Sequence, residues 1–158
     1  MLTQTSETAI QVLVYLARRE LPGPATPKEL ADMTGTSPSY MAKICSTLTK
    51  ADLLRAQRGM RGGVTLSRDA EAIALLDVVE ACQGKVLADY CVDHEPVNEV
   101  CAFHCAMLEL HHAIVGTLRS WTIAQLAVKP GPSGALVGVA PCRMRRVLAC
   151  LTRNRPAV

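Results

Sequence analysis

Three cysteines in the second half of the chain have a residue type and a spacing that could hold a metal. Cys91, Cys101 and Cys105 follow the pattern C-x9-C-x3-C. Thiolates are good ligands for iron, and one turn of a helix could present the last two thiols side by side. The spacing matches no common zinc pattern built from paired C-x2-C motifs. From the residues alone, these thiols indicate either a metal or cluster site or a chance grouping.

The total number of cysteines limits what the other four can do. The chain has seven cysteines, which is an odd number. Its first residues resemble neither a charged leader nor an apolar stretch that could span a bilayer. We therefore expect a cytoplasmic protein with reduced thiols and no framework of disulfides. Cys45 and Cys82 fall on apolar helix faces and are predicted to lie in the core. Cys142 and Cys150, near the end, are expected to be free or redox-active thiols.

The charged residues are distributed unevenly along the chain. The net charge is only +3, but residues 43–68 contain six basic side chains and one acidic one. Residues 89–109 carry five acids and no lysine or arginine, whereas every charged residue after 109 is basic. A basic block of this kind is typical of a surface that meets a polyanion. The charge pattern therefore favours nucleic acid as a partner.

The basic block coincides with two predicted helices and a hairpin. Thr26 and Ser37 are each followed by a proline and have the residue types that start helices, and Gly35 marks the turn between them. Two short helices joined in this way form a helix-turn-helix. Residues 53–66 then predict two strands around a glycine-rich tip at 58–63. The predicted fold is mainly α-helical with a small β-wing, a winged helix-turn-helix.

Polar side chains on these elements are the candidates for contact with DNA. The apolar residues of the second helix form one stripe and leave another face polar. A recognition helix reads bases with such side chains in the major groove, while neighbouring basic groups bind phosphates. The alternatives are a winged domain used only for protein contacts and, for Tyr40, packing under the wing. The predicted DNA-binding residues are Ser39, Tyr40, Lys43 and Thr47 on the helix and Arg58 and Arg61 at the tip of the wing.

The remaining segments predict how a second subunit is joined. Helices are expected over 3–19, 70–81 and 104–126, and the apolar stripe of the last is too wide for one chain to cover. We therefore expect a homodimer in which a partner helix packs on it. Residues 142–155 either form a short basic helix or stay disordered. The predicted regions are the winged helix-turn-helix domain (1–84), the cysteine loop (85–105), the dimerisation helix (106–128) and a flexible basic tail (129–158).

Three stretches of sequence carry a resemblance to a known family. Residues 30–40 read Leu-Ala-Asp-Met-Thr-Gly-Thr-Ser-Pro-Ser-Tyr, residues 58–63 read Arg-Gly-Met-Arg-Gly-Gly, and residues 122–126 read Thr-Ile-Ala-Gln-Leu. Together with the opening helix and the three loop cysteines, they resemble the Rrf-two family of bacterial regulators, which includes the IscR, NsrR and RirA types. The resemblance runs from Met1 to about Val128. It implies dimers that bind promoter DNA; no nucleophile–base pairing or phosphate loop of an enzyme is found.

The same resemblance implies an iron–sulfur cluster that controls DNA affinity in response to redox state, nitric oxide or iron. Cys91, Cys101 and Cys105 fall where the family's three thiolate ligands fall. IscR-like members add a histidine three residues after the last cysteine, where this chain has Leu108. NsrR-like members use an acid on helix 1 of the partner subunit, a position that Glu7 fits. We therefore expect Glu7 as the fourth ligand and favour a 4Fe–4S over a 2Fe–2S cluster, in a regulator expected to be a repressor.

Two alternatives stay open at this point. Histidine could replace the carboxylate as a ligand, through His94 or His104. The chain could also be a regulator without a cluster, which senses by thiol oxidation or through a protein partner.

Overall fold

The computed structural model describes residues 2–20, 23–59, 62–86, 100–129, 131 and 142–153. Within these ranges the fold is mainly α-helical with one two-stranded sheet, as the sequence predicts. None of the helices described is long and apolar enough to cross a membrane. The helices are α1 (Gln4–Arg18), α2 (Pro27–Thr34), α3 (Pro38–Lys50), α4 (Leu75–Gln83), α5 (Ala102–Ser120), α6 (Ile123–Val128) and α7 (Arg145–Arg153). The strands are β1 (Leu54–Gln57) and β2 (Gly63–Leu66), and a short 3-10 helix covers Ala70–Ala72.

Helix α1 lies at the centre of the core. Thr3 caps its first turn, because its side chain accepts a hydrogen bond from the Ser6 N–H at 3.1 Å. Val12 and Leu13 are fully buried, and α1 contacts α2, α3, α4, α6 and α7. Burial of one leucine side chain contributes about 1.5–3 kcal/mol. The positions of the other helices are therefore set largely by how they pack on α1.

The helix-turn-helix consists of α2 and α3, and local signals delimit it. Thr26 caps α2 by accepting a hydrogen bond from the Glu29 N–H at 3.1 Å. Ser37 caps α3 by accepting one from the Tyr40 N–H at 3.2 Å. Gly35 ends α2 with a φ of 69°, in the left-handed region that favours glycine. The two helices and the turn between them are confirmed.

The wing is formed by β1 and β2, which pair antiparallel with Gln57 opposite Gly63 at the tip. Ala25, just before α2, exchanges two backbone hydrogen bonds with Val64, at 3.0 and 2.8 Å. A Cβ at Gly63 would lie only 2.4 Å from the Ala25 carbonyl oxygen, so glycine is required for this close approach. The wing is thereby tied to the start of the helix-turn-helix.

The side chain of Arg68 makes hydrogen bonds around the start of helix α4. The sequence predicts one helix over 70–81, whereas the structure has the short 3-10 helix followed by α4. The Ala74 N–H donates to Asp77 Oδ2 at 3.2 Å, and Arg68 Nη2 donates to the same oxygen at 3.1 Å. Arg68 also donates to the Asp52 carbonyl at 2.9 Å. This arginine of the basic block is therefore used inside the protein.

The long helix near the C-terminal end is divided in two. The sequence predicts one helix over 104–126, but two non-helical residues separate α5 from α6. The Leu75 N–H donates to the Trp121 carbonyl at 2.8 Å, and the Ile123 N–H donates to the Ile73 carbonyl at 2.9 Å. These two bonds, to Leu75 at the start of α4 and to Ile73 just before it, replace helical hydrogen bonds. The helix is therefore interrupted at Trp121 and Thr122. The chain then turns back, and α6 packs on α1.

Helix α7 belongs to the basic stretch at the end of the chain. For this stretch the structure has the helix, one of the two alternatives that the sequence leaves open. Val147 is fully buried, and Cys150 and Leu151 pack partly buried against the same core. Arg146 Nη1 donates to the Thr34 carbonyl at 2.6 Å. Helix α7 is therefore docked on α1 and α2, beside the turn of the helix-turn-helix.

Candidate nucleic-acid interface and cysteine site

One face of α3 is polar and open to solvent. Ser39 and Lys43 are exposed and Thr47 is half-buried. These three side chains are four residues apart in sequence, so they follow one face of the helix. The opposite side carries Met41 and Leu48, which are fully buried. The structure therefore brings three of the predicted DNA-binding residues together on a surface that could enter a groove.

Tyr40 differs from the other predicted residues of α3. Its side chain is half-buried and packs against the core, and its hydroxyl lies 3.0 Å from the Thr5 hydroxyl of α1. The sequence allows a second interpretation of Tyr40, in which its side chain packs under the wing. It packs on α1 instead. This contact favours a role in holding α3 on α1 over direct contact with a base.

The wing supplies further positive charge beside α3. Arg55 on β1 and Arg58 just after it are exposed. Arg61, the second arginine predicted at the tip, lies outside the described residues. Arginine side chains presented in this way can bind phosphates or enter a minor groove.

Two of the three predicted cluster ligands lie at the start of α5. Cys101 is the residue before the helix and is exposed, and Cys105 is half-buried one turn later, with its N–H 3.2 Å from the Cys101 carbonyl. Cys91 lies outside the described residues, as does His94. His104 is only 3% exposed. In the part of the chain that is described, no group of three or more potential metal ligands is gathered at one place.

The carboxylate of Glu7, the predicted fourth ligand, is paired within the chain. Arg143 Nη1 lies 3.2 Å from Glu7 Oε2, and Glu7 is only 23% exposed. The backbone carbonyl of Arg143 also accepts a hydrogen bond from Gln11 Nε2 at 2.7 Å. Sequence reasoning did not anticipate this pair. The only signal for it was the absence of acids after residue 109, which leaves the arginines there to find acidic partners elsewhere.

The cysteines on α3 and α4 are core residues, as predicted. Cys45 is 6% exposed, and Cys82 is partly buried against the core. Burial raises the pKa of both thiols, because the interior disfavours the charged thiolate. These two side chains are therefore poor candidates for redox or metal chemistry.

A chain of polar contacts connects the end of α4 to α3 through the first turn of α1. Gln83 Oε1 accepts hydrogen bonds from the Ser6 hydroxyl at 2.8 Å and from the Thr3 N–H at 3.1 Å. On the same turn, the Thr5 hydroxyl meets the Tyr40 hydroxyl of α3 at 3.0 Å. Sequence reasoning missed this connection. The contacts thus connect α4, the helix that precedes the cysteine segment in sequence, to α3.

Comparisons with known proteins agree with this architecture. Protein aau3 of Rhizobium meliloti (strain 1021) is 31% identical over 135 residues, which cover 83% of this chain and 86% of that protein. The structure of CymR, the global cysteine regulator of B. subtilis, superposes with a TM-score of 0.68 at 24% identity and covers 81% of this chain and 96% of CymR. IscR of T. potens superposes with a TM-score of 0.64 at 20% identity, over 87% of this chain and 96% of IscR. The two superpositions establish the winged-helix fold.

The family assignment comes from the sequence. A profile described as the Rrf2 iron-dependent transcriptional regulator matches residues 2–129, which is most of the chain. Members of this family regulate transcription by binding DNA and are not enzymes. The resemblance noted in the sequence is thereby confirmed, and the chain belongs to the Rrf2 family of transcriptional regulators.

Proposed function

We propose that this regulator binds DNA with an affinity that depends on an iron–sulfur cluster. The observation that carries the proposal is the pair Cys101 and Cys105, two reduced thiols one helical turn apart at the start of α5. They lie in a chain whose family is described as iron-dependent. Cys91 is the third proposed thiolate ligand, and Glu7 of the partner subunit is the fourth, which would exchange its pair with Arg143 for the cluster.

The proposed DNA contacts follow from the exposed face of α3 and from the wing. Ser39, Lys43 and Thr47 face the major groove, where short polar and basic side chains can bind base edges. Arg58 and Arg61 bind phosphates or the minor groove on the side of the wing. The two backbone hydrogen bonds between Ala25 and Val64 tie the wing to the start of the helix-turn-helix.

The donor set at the start of α5 suits an iron–sulfur cluster. The thiols of Cys101 and Cys105 are accessible, and the N-terminal end of a helix favours negatively charged groups. We favour a 4Fe–4S over a 2Fe–2S cluster. When bound, the cluster would supply a centre whose bonding changes with redox state, nitric oxide or iron supply.

The chain's own residues provide a route from the cysteine segment to the DNA-binding helix. A displacement of the end of α4 would act on Thr3 and Ser6 through Gln83, because all three share hydrogen bonds. The same turn of α1 holds Tyr40 through Thr5. We propose that the orientation of α3 depends on the cysteine segment through these contacts.

A homodimer completes the proposed regulator. Only one residue of α5, His104, is buried within the chain, and large apolar side chains remain exposed on or beside α5 and α6. Phe103 and Leu110 are seven residues apart and so lie on one face of α5, and an apolar helix face that its own chain leaves open is typical of an interface. A partner subunit packed on α5 would cover it and would bring its own Glu7 towards the cysteine segment. These exposed side chains are Phe103 (67%), Leu110 (46%), Trp121 (48%) and Val128 (80%).

The test of the cofactor is anaerobic purification with an absorption spectrum and iron and sulfide assays. We expect a coloured protein with equimolar iron and sulfide. Cys101→Ser and Cys105→Ser should lose the cluster, whereas Cys82→Ser, a matched change in the core, should keep it. A wild-type protein that stays colourless after reconstitution would contradict the proposal and favour the regulator without a cluster. In that case Cys101, the exposed thiol of the pair, would be the candidate for oxidation.

Glu7 and the DNA contacts are tested separately. Glu7→Ala should alter the stability or the response of the cluster without unfolding the protein; an unchanged spectrum and response would remove Glu7 from the ligand set. Lys43→Ala and Arg58→Ala should weaken binding to a promoter duplex and flatten its dependence on salt. Unaltered binding in both variants would refute the assignment of the interface.

A further inference from the structure

A polar cleft of about 490 Å³ lies between α1, the turn of the helix-turn-helix and the start of α7. Hydroxyl and amide side chains of α1 and the turn line two of its sides. Arg143, Arg145 and Arg146 line the third. Among the described residues, the cleft is lined only by α1, by this turn and by residues at the start of α7. Three guanidinium groups facing one polar cleft make it a site for anions.

The arginines are in excess over the acids of the cleft. Glu7 is the only acid among the residues that line it, and Arg143 neutralises this carboxylate at 3.2 Å. Arg146 donates to the Thr34 carbonyl through Nη1 and remains exposed. Arg145 is exposed, and its side chain has no hydrogen bond or ion pair with any of the described residues. Two positive charges of the cleft are therefore uncompensated.

The cleft borders the polar helix α3. Thr36, which lines the cleft, directly precedes Ser37, the cap of α3. The hydrogen bond between Tyr40 and Thr5 fastens the first turn of α3 to the first turn of α1, which forms another wall. The cleft thus lies beside the N-terminal end of α3, where the backbone of a duplex that receives α3 in its major groove would be within reach. Phosphate contacts at such a position fix the register of a protein on DNA.

The basic residues are held on a docked element. The buried Val147 anchors α7, and the hydrogen bond from Gln11 to the Arg143 carbonyl anchors the residues before it. This element lies beyond residue 129, where the match to the Rrf2 profile ends. Helix α7 therefore lies outside the part of the chain that matches the family profile.

We propose that the start of α7 is a second DNA-contacting element, in which Arg145 and Arg146 bind backbone phosphates next to the bases that α3 meets. The proposal rests on DNA binding by α3. The charge complementarity between an uncompensated cationic cleft and the DNA backbone supports it. Helix α7 thus adds positive charge beside the turn that precedes α3, in addition to the arginines of the wing.

The test is the salt dependence of DNA binding by the full chain carrying Arg145→Ala. Loss of one phosphate contact lowers the slope of log K against log salt by about 0.9 per chain; over the decade from 1 M to 0.1 M this is about an 8-fold loss of affinity at 0.1 M for each contact, or about 60-fold for a dimer that loses two. Arg145→Lys keeps the charge and should restore the slope. Arg119→Ala removes an exposed arginine of α5 and is the matched control, expected to bind like the wild type.

The outcomes separate this inference from the proposed interface. A normal slope for Arg145→Ala, together with a reduced slope for Lys43→Ala, would overturn the role of α7 and leave the α3 interface intact. Tighter binding by Arg145→Ala would also overturn it, because α7 would then hinder DNA. An equal loss in Arg119→Ala would show a non-specific charge effect and refute the proposal. A thermal melt of each variant verifies that it is folded.

Discussion

Gln83 is the residue whose replacement tests the route from the cysteine segment to α3. Gln83→Met keeps the length of the side chain, and methionine is also a good helix former. The change removes the oxygen that accepts hydrogen bonds from Ser6 and Thr3. The Ser6 hydroxyl keeps a second partner, the Thr3 hydroxyl at 2.9 Å, so no buried donor is left unpaired. Among the contacts of Gln83, the change therefore removes these two hydrogen bonds to the first turn of α1.

The expected loss of stability follows from the exposure of these bonds. The bond from Ser6 is part-buried and the bond from the Thr3 N–H is exposed. Their combined net contribution is about 1–1.5 kcal/mol. For a chain of this size, that lowers the melting temperature by roughly 2–6 °C. Urea or thermal unfolding measures it directly.

The functional result is the ratio of DNA affinities with and without the cluster. If the two hydrogen bonds carry the coupling, their loss reduces this ratio by up to about 5- to 12-fold, which is the fold-change equivalent to about 1–1.5 kcal/mol and lies within the usual range of coupling energies between sites. Gln125→Met is the matched control, because Gln125 Oε1 accepts a comparable bond from the Thr122 N–H at 2.8 Å in α6. It removes one such bond, so it should lose about 0.5–1 kcal/mol of stability and keep the ratio. A wild-type ratio in Gln83→Met, or an equal drop in both variants, would refute the reasoning.

Three further predictions concern Tyr40, Tyr15 and the thiols. Tyr40→Phe removes the hydrogen bond to Thr5 and should cost about 0.5–1.5 kcal/mol of stability while leaving the salt slope of DNA binding unchanged; a lower slope would show that the hydroxyl contacts DNA. Burial, and then a hydrogen bond to a glutamate, raise the pKa of Tyr15 above its ordinary value of 10.0. Because the folded state keeps the phenol protonated, its contribution to stability is fully present below pH 10 and is lost as the pH rises further. Between pH 9 and pH 11, the free energy of unfolding should therefore fall by up to about 1.4 kcal/mol per pH unit more in the wild type than in Tyr15→Phe. Equal pH dependence of the two proteins would contradict this. In the native protein without a cluster, iodoacetamide should modify the exposed Cys101 well before Cys45, because burial raises the pKa of the Cys45 thiol. Peptide mass spectrometry over time measures both rates, and equal rates would disprove this.

The helix-turn-helix and the wing were predictable because their signals are local. Thr26, Gly35 and Ser37 each act on backbone groups within three or four residues, and the structure uses each in that way. The exposed face of α3 follows equally from helical periodicity. Reading this part of the chain needs no knowledge of distant contacts.

The remaining features depend on residues far apart in sequence. The break between α5 and α6 results from backbone bonds to Ile73 and Leu75, which no pattern within the helix itself can reveal. The contact of Gln11 with Arg143 joins residues 132 positions apart. Charge patterning showed that the end of the chain is basic. It could not show that one of its arginines pairs with Glu7, because the partner is set by how α7 packs.

The docked arginine beside the turn constrains how this sequence can evolve. Asparagine tolerates a positive φ and is an ordinary substitute for glycine at the end of a helix. At Gly35, however, a Cβ would meet the end of the Arg146 side chain, so a side chain there displaces this guanidinium from its bond to the Thr34 carbonyl. A substitution in the turn would thus loosen a contact that α7 makes with it. Among related chains, asparagine at this turn should occur only where no arginine covers it, so the two positions should change together.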